Sequence, residues 1–173
     1  RTERDSYRNV IEVQHPDGTK QSWRYLPALS YVSEYTDELG VRSTYAYDAK
    51  GRVIRTVQAV GTPVERVIES TYTQYGQLET RTVKGATAAD DVTTHYEYDN
   101  YGNLTQTTDA EEQVTSATHD VMGNVLTRTD ARSKTTVMTY TAAGWLETSK
   151  TPLQFLTTYE YDRTGNRTKS KAP

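Results

Sequence analysis

The chain has 173 residues, a formal charge of −3 and 25% charged residues, so it offers no basic stripe for nucleic acid. It has no cysteine, which excludes a disulfide framework and a thiolate metal site, and no apolar run long enough for a transmembrane helix. Fourteen tyrosines stand against one phenylalanine in a chain only 34% hydrophobic, so its rings must either wet their hydroxyls or find them partners.

In chain order, Val10–Val13 and Trp23–Leu26 read as strands flanking the turn His15-Pro16-Asp17-Gly18. Asp37 to Gly40 reads as another turn before the alternating Tyr45-Ala46-Tyr47. Residues 1–35 are therefore expected to be degenerate hairpins continuous with an array that fills 36–173 in about six motif copies. No segment carries sustained helical periodicity, and no signal peptide is read at Arg1.

From Tyr47 onward a ring precedes a glycine by four residues six times. The pairs are Tyr47 with Gly51, Tyr72 with Gly76, Tyr98 with Gly102, His119 with Gly123, Tyr140 with Gly144 and Tyr161 with Gly165. The glycine intervals are 25, 26, 21, 21 and 21 residues, the mark of a repeat architecture. Asp48, Asp99, Asp120 and Asp162 follow the ring, and such a side chain can bind the amides just ahead of it while glycine takes the positive φ that closes the turn. Gly51, Gly76, Gly102, Gly123 and Gly144 are accordingly expected to be needed for turn closure. Two residues past the glycine stand Val53, Leu78, Leu104, Val125 and Leu146, then Arg167. The residue between is polar except for Trp145, so apolar-in, polar-out alternation is expected to hold in register. A second, looser turn is expected near Asp37, Asp109 and Asp130. The extra residues at 59–63 and 84–91 are expected at one edge of the array, where repeats tolerate insertion. The fold class is all-β, an antiparallel β-hairpin array forming a long twisted or curled sheet.

The Tyr-Asp-x-x-Gly-(Arg/Asn)-(Leu/Val) pattern resembles the YD repeat of the Rhs family. It stands as Tyr47-Asp48-Ala49-Lys50-Gly51-Arg52-Val53, as Tyr98-Asp99-Asn100-Tyr101-Gly102-Asn103-Leu104 and as Tyr161-Asp162-Arg163-Thr164-Gly165-Asn166. Weaker copies place Thr73 or Thr141 at the aspartate and His119 at the tyrosine. The resemblance covers roughly residues 36 to 170. It implies a β-sheet shell, secreted or at the cell surface, that encloses or presents another polypeptide such as a C-terminal toxin. It implies as partners the rest of a parent shell and that enclosed polypeptide. Family self-cleavage is associated with an Asp-Pro motif after the repeats. This sequence has no Asp-Pro pair and no non-repetitive C-terminal region, so a wall segment without toxin or self-cleavage is expected.

Other chemistry is weighed residue by residue. The four repeat aspartates invite comparison with a glycosidase pair, but such a pair needs unlike environments and a repeat supplies like ones. Asp90-Asp91 and Glu111-Glu112 beside Asp109 follow no EF-hand or nonapeptide calcium spacing, and His15, His95 and His119 share no metal-ligand spacing. No catalytic residue, metal or cofactor is expected. Trp145, where other copies are polar, could stack on a sugar, with Trp23, Tyr101 and Tyr75 extending an aromatic face. Carbohydrate binding is thus the alternative reading, and self-association through unpaired sheet edges is a further expectation.

Overall fold

Residues alternating between ring or β-branched and polar side chains, broken every few positions by a turn, satisfy their backbone by folding back on the preceding strand. The computed structural model describes residues 1–27 and 29–172. The chain divides into two units, Arg1–Thr93 and the residues from Thr94 on. The first holds β1 (Thr2–Arg4), β2 (Val10–Gln14), β3 (Lys20–Tyr25), β4 (Val32–Thr36), β5 (Arg42–Tyr47), β6 (Val53–Gln58), β7 (Arg66–Tyr72), β8 (Leu78–Val83), a 3-10 turn at Ala88–Asp90 and the start of β9 (Val92–Tyr98). The second holds the rest of β9, β10 (Leu104–Thr108), β11 (Val114–His119), β12 (Val125–Thr129), β13 (Thr135–Tyr140), β14 (Leu146–Lys150), β15 (Leu156–Tyr161) and β16 (Arg167–Lys171). Within each unit every strand pairs antiparallel with its neighbours in the chain, so the fold is an all-β hairpin array.

One turn geometry builds most of the hairpins. The Asp48 amide donates to the Arg52 carbonyl at 2.9 Å and the Gly51 amide to the Asp48 carbonyl at 3.0 Å. Gly51 sits at φ +79°, in the left-handed region that closes a type I turn into a G1 bulge. The bulge accounts for the register slip just before the tyrosine, between Ala46 and Tyr47. The same pair of bonds recurs at Thr73–Gln77, Asp99–Asn103, Asp120–Asn124, Thr141–Trp145 and Asp162–Asn166. Gly76 (φ 91°) and Gly144 (φ 80°) hold the left-handed position even in the two copies where threonine replaces the aspartate.

The turns at the other end of the strands, expected to be looser, are not. Asp37–Val41, Asp109–Gln113, Asp130–Lys134 and Thr151–Phe155 close with the same two bonds. In the last three the left-handed position holds Glu112 (φ 60°), Ser133 (φ 58°) and Gln154 (φ 68°), so the glycine that marks such a turn in a sequence is missing. A left-handed turn therefore does not demand glycine everywhere in this array. The two stretched connections, between β6 and β7 and between β8 and β9, both lie on this end, where the spacing put them.

Pairing gives the sheet two faces. Tyr47 faces Val53, Tyr45 faces Thr56, and Trp23 faces Tyr35, forming an aromatic face. On the opposite face Glu34 lies 3.6 Å from Arg24 and 3.5 Å from Arg42, and Arg55 lies 3.7 Å from Glu69. In the second unit threonine hydroxyls pair across strands on the face away from His119 and Tyr140, at 2.7 Å for Thr118 and Thr127 and 2.8 Å for Thr139 and Thr148. The faces segregate less than the expected alternation. Val57, the one buried residue among the described hydrophobics at 6% exposure, lies on the charged face, because its cross-strand neighbours there are Thr44 and Val67. Arg81 and Arg128 stand on the aromatic face, opposite Ser70 and Ala117.

Candidate functional site

The repeat aspartates are each occupied by their own turn. One Asp99 oxygen accepts the amides of Tyr101 and Asn103 at 2.9 Å each, and the other accepts the Asn103 side-chain amide at 3.0 Å. Asp120 binds Met122 and Asn124 in the same way, Asp162 binds Thr164 and Asn166, and Asp48 binds Lys50 and Arg52. Thr73 and Thr141 each accept one longer backbone bond, at 3.3 and 3.2 Å, from the amides of Gln77 and Trp145. Donors aimed at an ionised carboxylate favour that form. The side-chain amides of Asn103, Asn124 and Asn166 hold Asp99, Asp120 and Asp162 below the usual carboxylate range, and the Arg52 amide and guanidinium do the same for Asp48.

Lowered folded values contribute stability above the unfolded carboxylate value, and that contribution disappears as pH falls through them. The melting temperature is therefore expected to be flat above about pH 5 and to fall steadily below about pH 4, more steeply than in Asp99→Asn. A midpoint constant from about pH 5 down to about 2 would contradict this assignment.

The tyrosines do what phenylalanine could not. The hydroxyls of Tyr25, Tyr47, Tyr72, Tyr140 and Tyr161 donate to the backbone carbonyls of Val10, Val32, Val53, Val125 and Leu146 at 2.8 to 3.0 Å. Each bond runs from the end of one strand to the first residue of an earlier strand, so it ties one aromatic-turn hairpin to the preceding one. Burial raises the Tyr47 phenol above its ordinary value, in keeping with a hydroxyl kept as a donor. His119 is the exception: its Nδ1 is buried without a partner, and no bond joins its ring to the Leu104 carbonyl. His119→Tyr is expected to restore that link and stabilise the chain by about 1 kcal/mol in equilibrium unfolding. A loss of stability would count against the shared role of these rings.

The residue after each glycine, expected to face solvent, is instead half-buried at Arg52, Asn103, Asn124 and Trp145, because it lies under the glycine of the next aromatic-turn hairpin. Arg52 stacks 4.6 Å over the Tyr72 ring and reaches the Thr73 carbonyl at 3.2 Å. Its guanidinium lies 3.9 Å from where a Cβ on Gly76 would stand, and the Asn124 side-chain amide lies 3.9 Å from that of Gly144. Both are ordinary contacts. The need for glycine at Gly76 and Gly144 thus rests on the left-handed backbone conformation alone. The fit is closer further along: Asn103 Oδ1 lies 3.2 Å from the Cβ position of Gly123, and Trp145 lies 3.0 Å from that of Gly165. Trp145 also tilts against Tyr161, with ring centroids 5.4 Å apart. Its indole fills the slot that arginine or asparagine fills elsewhere. Opposite Thr141 there is no carboxylate for an asparagine to bind.

The four residues read as an aromatic face occupy different settings. Tyr75 and Tyr101 project from turn tips, 82% and 76% exposed. Trp23 tilts against Tyr35 and lines, with Val32, Tyr45, Tyr47 and Val53, a cleft of about 440 Å³. Among the acidic loops, Asp91 pairs with Lys84 and accepts the Gly85 amide, Asp90 accepts from the Thr87 hydroxyl, and Glu111 accepts from Gln113. No group of three or more potential metal ligands occurs among the described residues.

Residues 32–63 match the family model for the RHS repeat. No curated protein matches the chain. Solved structures do match its fold. One is a crystal structure of TcdB2-TccC3-Cdc42, with a TM-score of 0.57 at 16% identity over 95% of this chain and 11% of that one. A Photorhabdus luminescens Tc holotoxin pore carrying a TccC3 mutation gives 0.57 and 16%, over 96% of this chain and 10% of that one. TcdB2-TccC3 without its hypervariable C-terminal region gives 0.57 and 16%, over 95% and 10%. The chain spans about a tenth of the length of these structures.

Proposed function

We propose, from the premise that this chain is a YD-repeat array of the Rhs type, that its work is architectural: it forms wall in a secreted or surface shell that encloses or presents another polypeptide. The observation that carries this is the use of the recurring side chains. Tyrosine hydroxyls and the residues after the glycines join hairpin to hairpin, while the repeat carboxylates are held in their own turns. All four are held in the ionised form, by Arg52 at Asp48 and by asparagine amides at the others, so none is kept as the protonated partner that an acid–base pair needs. The test is digestion of the full-length protein that carries this segment with a non-specific protease. The reading expects the enclosed polypeptide to survive in the wild type and to be cut when Gly51→Ala loosens the wall. Equal cleavage in both would contradict enclosure.

A second reading, carbohydrate binding, is favoured at Trp23, where four rings surround a cleft. Glycan-array binding lost in Trp23→Ala, with the melting temperature retained, would promote it. Array signals unchanged by that substitution would remove it.

A further inference from the structure

The geometry points to a carboxylate-binding site in the second unit, in a concavity of about 350 Å³ on the aromatic face lined by Leu104, Thr107, Thr115, Ala117, His119 and Arg128. Its origin is visible in the repeat itself. The position two residues before the ring of each aromatic turn holds a large side chain, Trp23, Tyr45, Tyr96, Met138 or Tyr159, in five copies and Ser70 before the full-sized Tyr72 in another. Here that position is Ala117, and the joining ring is the smaller His119. Two side chains that fill the face elsewhere are cut back in one copy, and side by side.

What lines the space is polar and cationic. Arg128 stands in register with Ala117 on one side and Thr136 on the other, and is exposed. It has no carboxylate partner among the described residues, unlike Arg52, whose guanidinium is held by Asp48 at 2.6 Å. Thr107 and Thr115 face each other across β10 and β11 and add hydroxyl donors at the wall. The nearby Asp99 carboxylate is already bound by its own turn. A planar guanidinium fork beside hydroxyls and an apolar floor of Leu104 and Ala117 matches a carboxylate on a short aliphatic stem. The occupant is therefore an acidic side chain of a polypeptide lying on this face. That identification rests on the architectural reading above, whereas the site itself does not.

The measurement is a titration of the intact chain with N-acetylglutamate, followed by NMR at the Arg128 Nε–H and the Ala117 amide. N-acetylglutamine serves as the neutral isostere. Saturable shifts confined to these groups are expected with the acid. Binding is expected to weaken at least about tenfold with the isostere and in Arg128→Gln. His119→Tyr fills the concavity and should abolish binding while the melting temperature rises, so that loss cannot be ascribed to unfolding. Shifts spread over all the arginines and lysines, equal binding of the neutral isostere, or binding that survives both substitutions would each overturn the site. Failure of the protease experiment with these results intact would remove the enclosing shell and leave the site.

Discussion

Gly51→Ala is expected to destabilise this chain by about 3 kcal/mol, against about 1 kcal/mol for Gly40→Ala. Both glycines sit at φ +79°, so each alanine meets the same left-handed backbone cost. The difference lies in what surrounds them. A Cβ on Gly40 would meet nothing within 4 Å, whereas one on Gly51 would strike the Tyr31 ring, whose Cζ lies 2.7 Å away. Tyr31 is not free to yield without loss, because it stacks on Tyr47 at a centroid distance of 5.1 Å. Tyr47 in turn donates its hydroxyl to the Val32 carbonyl. Displacing one ring thus disturbs a stack and a bond between hairpins at once. Gly76→Ala and Gly144→Ala, with no close neighbour to displace, should behave like Gly40→Ala. Chemical denaturation of the four variants checks this, and equal losses at Gly51 and Gly40 would show that the ring above Gly51 gives way without cost.

Trp145→Ala is expected to cost about 2 kcal/mol, roughly half the usual loss for truncating a fully buried tryptophan. The indole covers Gly165 and tilts against Tyr161, and its removal leaves both uncovered on the side toward β14. Gly165→Ala should weaken the same contact from the other side, since its Cβ would lie 3.0 Å from the indole. Additive losses in the double variant would show that the two residues do not share one contact. Unchanged stability of Trp145→Ala, together with loss of glycan binding, would move Trp145 from structure to ligand recognition.

Much of the fold was legible because its cause is local. The ring-to-glycine spacing fixes a turn whose carboxylate and glycine act within five residues, and a repeated turn fixes a repeated hairpin. The tyrosine count hinted that hydroxyls had work to do, but not which carbonyl each one reaches, since the Tyr140 donor and the Val125 acceptor are brought together only by strand pairing. The slot after the glycine was misread for the same reason. Asn103 is polar, and along one strand it alternates outward, yet the next hairpin covers it. Glycines that look equivalent in the sequence differ likewise, because a ring stands over Gly51 and nothing so close stands over Gly76 or Gly144. The turns at Glu112 and Ser133 carried no glycine and so looked irregular, although their backbone, like that at Gln154, repeats that of the aromatic turns. The concavity at Arg128 was invisible because Ala117 and Arg128 become neighbours only in register across β11 and β12.

Removing single hydroxyls tests the account most directly. In equilibrium unfolding, Tyr25→Phe, Tyr47→Phe, Tyr72→Phe, Tyr140→Phe and Tyr161→Phe should each lose about 1 kcal/mol, while Tyr75→Phe and Tyr101→Phe, whose rings project from turn tips, should lose nothing measurable. If the five are silent, or if the turn-tip pair loses as much, the tyrosine hydroxyls do not fasten these hairpins together.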